Sequence, residues 1–297
     1  MSNQDKAQLR RRSRRIAILV AVAMLAINVS AHAAPMFIYA NSATSPSSEQ
    51  RLYKIDPATG AVVNTCLMQK GNGRGIVVVG NLAYYTVADS NNVFKADINT
   101  CADLGVAFSV SGATGLSTMA FDGTNFWIGD YSGTNQAYYY SPTGTLIKTI
   151  SLADCAGYCD GLEFFNGKLI SNRGDAMPPY DIYDTLGNLV TPAFITTAFE
   201  GTGIAFDGTN FFVSDIHSQK LQVYDGTTGA FVKTVTITGL APNANEIEDL
   251  SADYSQRADI QSIPTLSNWA MLAMAMLLVG AGCIVLYRRH RGQALRF

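Results

Sequence analysis

From about residue 36 to residue 256 the chain aligns with itself at a period of about 43 residues, and this repeat restricts the possible folds more than any other feature. One recurring piece runs through Leu52–Gly60, Val93–Thr100, Tyr138–Gly144, Asp181–Gly187 and Gln222–Gly229. Its pivots, Asp56, Asp97, Ser141, Asp184 and Asp225, are spaced by 41, 44, 43 and 41 residues. A second piece, two apolar runs around a turn, occupies Ile76–Thr86, Met119–Asp130, Leu162–Asn172 and Ile204–Asp215. Its turn glycines, Gly80, Gly123, Gly167 and Gly208, step by 43, 44 and 41. Two separate features that keep one period exclude an accident of composition.

Each unit predicts four short strands. Asp-Gly and Asn-Gly between aromatic and β-branched residues predict hairpins with two-residue turns, because Gly accepts the positive φ such turns require. The Asp-Pro-Ala-Thr-Gly type of turn closes a second hairpin, its Asp side chain bonding backbone N–H groups two residues on. A last strand follows, as at Leu146–Leu152 and Ala230–Ile237. Four antiparallel strands per repeat is the pattern of a β-propeller blade. Met36–Asn41 reads as a second strand without a first, and Ile247–Asp253 as a first strand with no blade behind it. Pairing them predicts an all-β, five-bladed β-propeller closed by both ends, over residues 34–258.

The flanks read as addresses. Ile16–Val29 is a 14-residue apolar run behind an arginine cluster and ahead of Ser30-Ala31-His32-Ala33-Ala34. This predicts an N-terminal signal peptide over 1–33, cleaved between Ala33 and Ala34. Trp269–Tyr287 has 19 residues without a charge and is followed by Arg288, Arg289, His290 and Arg291. That predicts a C-terminal transmembrane helix within a tail of 259–297, its basic end cytoplasmic. Immediately before it stand Ile263, Pro264, Thr265, Leu266, Ser267 and, two residues on, Trp269. This order of parts resembles the IPTL-CTERM protein-sorting signal of Gram-negative bacteria, with Ala270 where that family usually has Gly. The resemblance implies recognition of Ile263–Leu266 by a membrane-embedded exosortase-type enzyme and passage to the cell surface or outside. Pro264 biases Ile263 toward the extended backbone such an enzyme could grip. The repeats resemble NHL-like and YVTN-like extracellular propellers, a group that includes binding proteins, lactonases and structural proteins alike.

With Cys283 in the predicted membrane helix, four cysteines remain for the exported part: Cys66, Cys101, Cys155 and Cys159. An even number in an oxidising compartment predicts two disulfides with three possible connectivities. Cys155–Cys159 and Cys66–Cys101 are favoured, the first being local and the second joining adjacent blades; zinc is disfavoured because no His is near. His217 is the one histidine between the flanks, in a polar run, and no catalytic triad suggests itself around it.

Carboxylates offer the site candidates. First strands line the channel of a propeller, and their aligned position reads Arg74, Ser117, Asp160, Thr202 and Glu248. Second strands end at Asn41, Asp130, Asn172 and Asp215. Together these could form a ring of oxygen ligands suited to Ca²⁺. A loose likeness to lactonase-type propellers singles out Asp160, Asn172, Asp215 and Glu248, against the alternative that such residues only cap turns. Basic residues concentrate at the two ends. The middle keeps 11 basic against 22 acidic residues, which disfavours nucleic acid as a partner. The expectation is an exported, non-catalytic propeller that binds an unknown extracellular ligand. The alternative is a metal-dependent hydrolase of lactonase or glycan-cleaving type built on the channel carboxylates.

Overall fold

The computed structural model describes residues 36–260, apart from 44–48, 69–70, 114, 132, 154, 156–158 and 175–178, together with residue 276. The predicted signal peptide, transmembrane helix and sorting motif lie outside the described residues.

Twenty strands form five antiparallel four-stranded sheets among the described residues. Blade I holds β1 (Ile38–Ala43), β2 (Arg51–Ile55) and β3 (Val62–Leu67). Blade II is β4 (Gly73–Val79), β5 (Leu82–Val87), β6 (Asn92–Asp97) and β7 (Asp103–Ser109). Blade III is β8 (Leu116–Phe121), β9 (Phe126–Asp130), β10 (Gln136–Tyr140) and β11 (Leu146–Ser151). Blade IV is β12 (Leu162–Phe165), β13 (Lys168–Asn172), β14 (Tyr180–Tyr183) and β15 (Leu189–Ile195). Blade V is β16 (Gly201–Phe206), β17 (Asn210–Asp215), β18 (Lys220–Asp225) and β19 (Phe231–Thr236). The last strand, β20 (Glu246–Ala252), pairs antiparallel with β1 and completes blade I as its innermost strand. The predicted closure by both ends therefore holds, and a five-bladed ring results in which every blade has four strands.

The pivots do what their chemistry dictates. Carboxylates of Asp56, Asp97, Asp184 and Asp225 accept from the N–H groups of Ala58, Asn99, Leu186 and Thr227 at 2.8–3.0 Å. Backbone N–H bonds to Asp56 and Asp97, the Asn188 amide on Asp184 and the Thr228 hydroxyl on Asp225 hold these exposed carboxyls below their ordinary values. The hairpin turns split into two kinds. Phe165 pairs with Lys168, so Asn166-Gly167 is a two-residue turn with both φ positive. Phe121 pairs with Phe126, so Asp122-Gly123-Thr124-Asn125 makes a four-residue loop rather than the expected two. The reason is Asp122, whose carboxylate takes the N–H groups of Thr124 and Asn125 at 2.9 and 2.8 Å.

Apolar side chains pack between blades. Tyr138 and Tyr140 are buried, facing Phe108, and Tyr139 turns to the opposite side of its strand against Trp127, with ring centroids 4.3 Å apart. Sequential tyrosines thus serve both neighbouring interfaces, as strand alternation requires. Both predicted disulfides are present: Cys66–Cys101 joins β3 to the turn before β7, and Cys155–Cys159 closes a loop before β12.

Candidate functional site: a polar rim above a sealed channel

Five inner strands run parallel around the axis, so their N-terminal ends share one rim. Pairing irregularities recur there in four blades, between Gly73 and Ile76, Leu116 and Met119, Gly201 and Ile204, and opposite Asn41/Ser42 in β20. In each, two residues oppose one on the second strand, the definition of a β-bulge, which re-aims side chains. Arg74, Ser117, Thr202 and Glu248 are the residues at these bulges, and Asp160 stands just ahead of β12. The aligned ring of the sequence is therefore a structural ring.

Within it, Arg74 forms an ion pair with Glu248, whose side chain is buried, and its guanidinium lies 5.6 Å from the Tyr131 ring centroid. Two carboxyl oxygens, Oδ1 of Asp160 and Oε2 of Glu248, are buried without a hydrogen-bond partner. Burial and the charge of Glu248 push the Asp160 carboxyl up to about 8, with Arg74 opposing. Burial likewise raises Glu248, again offset by Arg74. The pair behaves as one site that retains a proton near neutral pH.

The residue following each ring member decides what fills the axis: Gly75, Thr118, Gly161, Gly203 and Asp249. Any Cβ at Gly75, Gly161 or Gly203 would come within 2.5 Å of a neighbouring strand's backbone. Into the space between them reach the other two side chains. Asp249 Oδ2 accepts from Thr118 Oγ1 at 3.0 Å and from the N–H groups of Ile76 and Met119 at 3.1 and 3.3 Å. Thr118 Oγ1 in turn accepts from Leu162 N at 2.8 Å. Complete burial holds the Asp249 carboxyl well above its ordinary value, opposed by the bonds through which it ties blades I to IV together. Ser251 in β20 and Asp253 just past its end accept from Val78 N and Gly80 N.

A plug seals the opposite end. After β20 the chain makes a 3₁₀ turn, Tyr254–Gln256, and Arg257 enters the channel with no exposed surface. Its guanidinium bonds the buried Glu163 at 2.7 Å and lies 4.6 Å from the Tyr254 ring and 5.2 Å from that of Phe206. Glu163 also accepts from Phe206 N at 3.0 Å and from the Tyr254 hydroxyl. Asp259 pairs with Arg257 at 2.8 Å and accepts from Asn166 N at 3.2 Å.

Of the four sequence candidates, the rim brings Asp160 and Glu248 together around Arg74. Asn172 is buried and committed to backbone: its Oδ1 accepts from Asp160 N and Gly161 N, and its Nδ2 donates to Gly201 O and Thr202 O. Asp215 caps the turn after β17, accepting from His217 N and from the Ser218 hydroxyl. No three His, Cys, Asp or Glu side chains among the described residues are grouped to hold a metal ion. His217 is exposed beside Glu200 at 2.9 Å. Sequence reasoning missed Asp249, Glu163 and Arg257. Only the interruption of the glycine column at 75, 161 and 203 by Thr118 and Asp249 signals the first.

Beyond the plug the chain runs into residues 261–291, which match the family model described as the IPTL-CTERM motif. The chain carries a C-terminal sorting signal. The IPTL-CTERM match spans the tetrapeptide Ile263–Leu266, and with the two disulfides it marks an exported protein. No curated protein sequence matches the chain. Among solved structures, a chain of the nidogen/laminin complex aligns at TM-score 0.52 and 10% identity, over 74% of this chain and 99% of that one. A protein of unknown function from Bacteroides caccae aligns at 0.49 and 11%, over 74% and 99%. Glutaminyl cyclase of Myxococcus xanthus aligns at 0.47 and 14%, over 57% and 76%. The likeness to the nidogen/laminin chain is one of fold; the other two scores carry no argument. No helix of the described residues is long and apolar enough to cross a membrane.

The rim makes a prediction about pH. Folded Asp160 keeps a proton that the unfolded chain loses near 3.8, so its contribution to stability is complete below that pH and is lost as pH rises through about 8. Melting curves from pH 4 to 9 should show this decline, and Asp160→Asn should flatten it. Parallel profiles for the two proteins would show that Asp160 titrates normally.

Proposed function

We propose that this protein is exported through its signal peptide, held by its C-terminal helix, processed at Ile263–Leu266 by an exosortase-type enzyme, and displayed as a non-catalytic propeller that binds a ligand at the rim. The supporting observation is the pair of buried, unpartnered oxygens on Asp160 and Glu248 facing Arg74. Such orphaned acceptors in a channel sealed at its far end are what a ligand hydroxyl or amide would satisfy. A rim with one guanidinium and two carboxyls, one of them raised to about 8, suits neutral, hydroxyl-rich molecules better than strong ions.

The hydrolase reading has one observation in its favour, a carboxyl held protonated near neutral pH beside a second carboxylate. Its metal form fits these residues poorly, because Asn172 is committed to backbone, Asp215 faces blade V rather than the ring, and Arg74 occupies the ring. One experiment separates the readings. The purified exported protein is screened on glycan and protein arrays, and hits are compared with Arg74→Ala and tested for turnover. Binding without turnover that falls at least about tenfold in Arg74→Ala supports the rim, a factor worth roughly 1.4 kcal/mol. Hits unaffected by that substitution would place binding elsewhere. Intact mass closes the processing question: Arg288–Phe297 still attached to surface protein would contradict it.

A further inference from the structure

The outer part of blade V departs from the repeat in two places at once. Three residues before the pivot, blades I, II and III carry Tyr53, Phe94 and Tyr138, and blade IV carries Asp181 bound to Arg173 at 2.7 Å. Blade V has Gln222 there. On the outer strand, the partner of the residue before the pivot is Val62, Leu146 or Leu189 in blades I, III and IV, but Phe231 in blade V. The large side chain is lost where others fill the blade, and an aromatic wall is gained beside the gap. The result is a cavity of about 380 Å³ lined by Thr196, Phe199, Asp215, Gln222, Tyr224 and Phe231, with Ala198 at its edge. That volume falls within the range of small-molecule sites, roughly 300–1,000 Å³.

Its walls specify a chemistry. The Tyr224 and Phe231 rings meet nearly at right angles, 74° at 5.9 Å, which makes a corner rather than a flat platform. Phe231 is 58% exposed, a large aromatic surface left to water. Phe199 adds a third ring. Asp215 brings a carboxylate, and no Lys or Arg lines the cavity. Gln222 spends its Oε1 on the Thr234 hydroxyl at 2.6 Å, which turns its amide N–H₂ to donor use. Aromatic faces meeting at an angle beside a carboxylate attract a compact, weakly hydrated cation through the ring quadrupoles. An acidic propeller adds long-range attraction for the same charge.

We propose that this blade V cavity binds a quaternary ammonium group, with Phe231 and Phe199 as its aromatic walls, the buried Tyr224 closing the corner behind them and Asp215 as the counter-charge. The site is separate from the channel rim and does not depend on the reading given to it. Calorimetric titration of the purified exported protein with choline tests it, with 3,3-dimethyl-1-butanol as the neutral isostere and methyl glucoside as a sugar probe. Choline should bind at one site at least about tenfold more tightly than the neutral isostere. Phe231→Ala should weaken choline at least about tenfold without lowering the melting temperature, since the ring is exposed. Gln222→Tyr, which restores the residue found in blades I and III, should abolish binding by filling the cavity. Equal binding of choline and its isostere, binding of methyl glucoside in place of choline, or no binding of any probe would each overturn the assignment.

Discussion

Replacing Glu163 by alanine is expected to lower the melting temperature by about 6–20 °C. The reasoning is one of a buried charge losing one of its two carboxylate partners. Arg257 has no exposed surface; Glu163 meets its guanidinium at 2.7 Å and Asp259 at 2.8 Å. Removing one member of a buried pair typically costs about 3–5 kcal/mol. A domain of this size loses about 2–4 °C for each kcal/mol. The same substitution orphans Phe206 N and the Tyr254 hydroxyl, both of which bond Glu163. A double variant, Glu163→Leu with Arg257→Met, should recover only part of the loss, since it removes the buried ion pair but still leaves Phe206 N and the Tyr254 hydroxyl without Glu163, and Asp259 without Arg257. Thermal melts of the three proteins decide the matter. If Glu163→Ala melted within about 2 °C of the parent, the plug would be an ornament on a ring that closes without it.

The ring was legible in the sequence because propeller blades are made by local rules. Asp56, Asp97, Asp184 and Asp225 turn the chain through bonds to residues two positions on, and such bonds leave a signature at fixed spacing. The missing first strand before Met36 and the spare strand at Ile247 likewise announced their pairing. The rim was legible only as an alignment column. Which member of that column would face another depended on β-bulges, whose extra residue shows no preference strong enough to read. Asn172 and Asp215 illustrate the limit. Both end a second strand and both are oxygen ligands by type, yet Asn172 stitches blade IV to blade V and Asp215 caps a turn. The plug was illegible for a further reason. Arg257 lies outside the repeat, and an arginine near a chain end carries no mark that it will be buried against a glutamate 94 residues away.

Opening Cys66–Cys101 is expected to cost about 4 kcal/mol, whereas opening Cys155–Cys159 should cost about 2 kcal/mol. The difference follows from loop length. Cross-linking residues 35 apart removes far more freedom from the unfolded chain than cross-linking residues 4 apart. Position reinforces the longer bond. Cys66 sits in β3, in the half of blade I that comes from the N-terminal side, and Cys101 belongs to blade II. Asn64 Nδ2 donates to Ile98 O at 2.7 Å across the same seam. Blade I is completed only when β20 arrives from the other end of the repeats, so this bond fastens its first three strands to blade II independently of that closure. Melting of Cys66→Ala/Cys101→Ala should fall by about 8–16 °C, and that of Cys155→Ala/Cys159→Ala by half as much. Equal losses, or a larger loss from the short loop, would mean that local packing rather than chain restriction sets the effect. Before export both bonds are absent, because the cytosol keeps thiols reduced. Together they account for about 6 kcal/mol, comparable with the whole stability of an ordinary domain at about 5–15 kcal/mol. The reduced chain is therefore expected to be the markedly less stable form, with oxidation outside the cytosol supplying the difference.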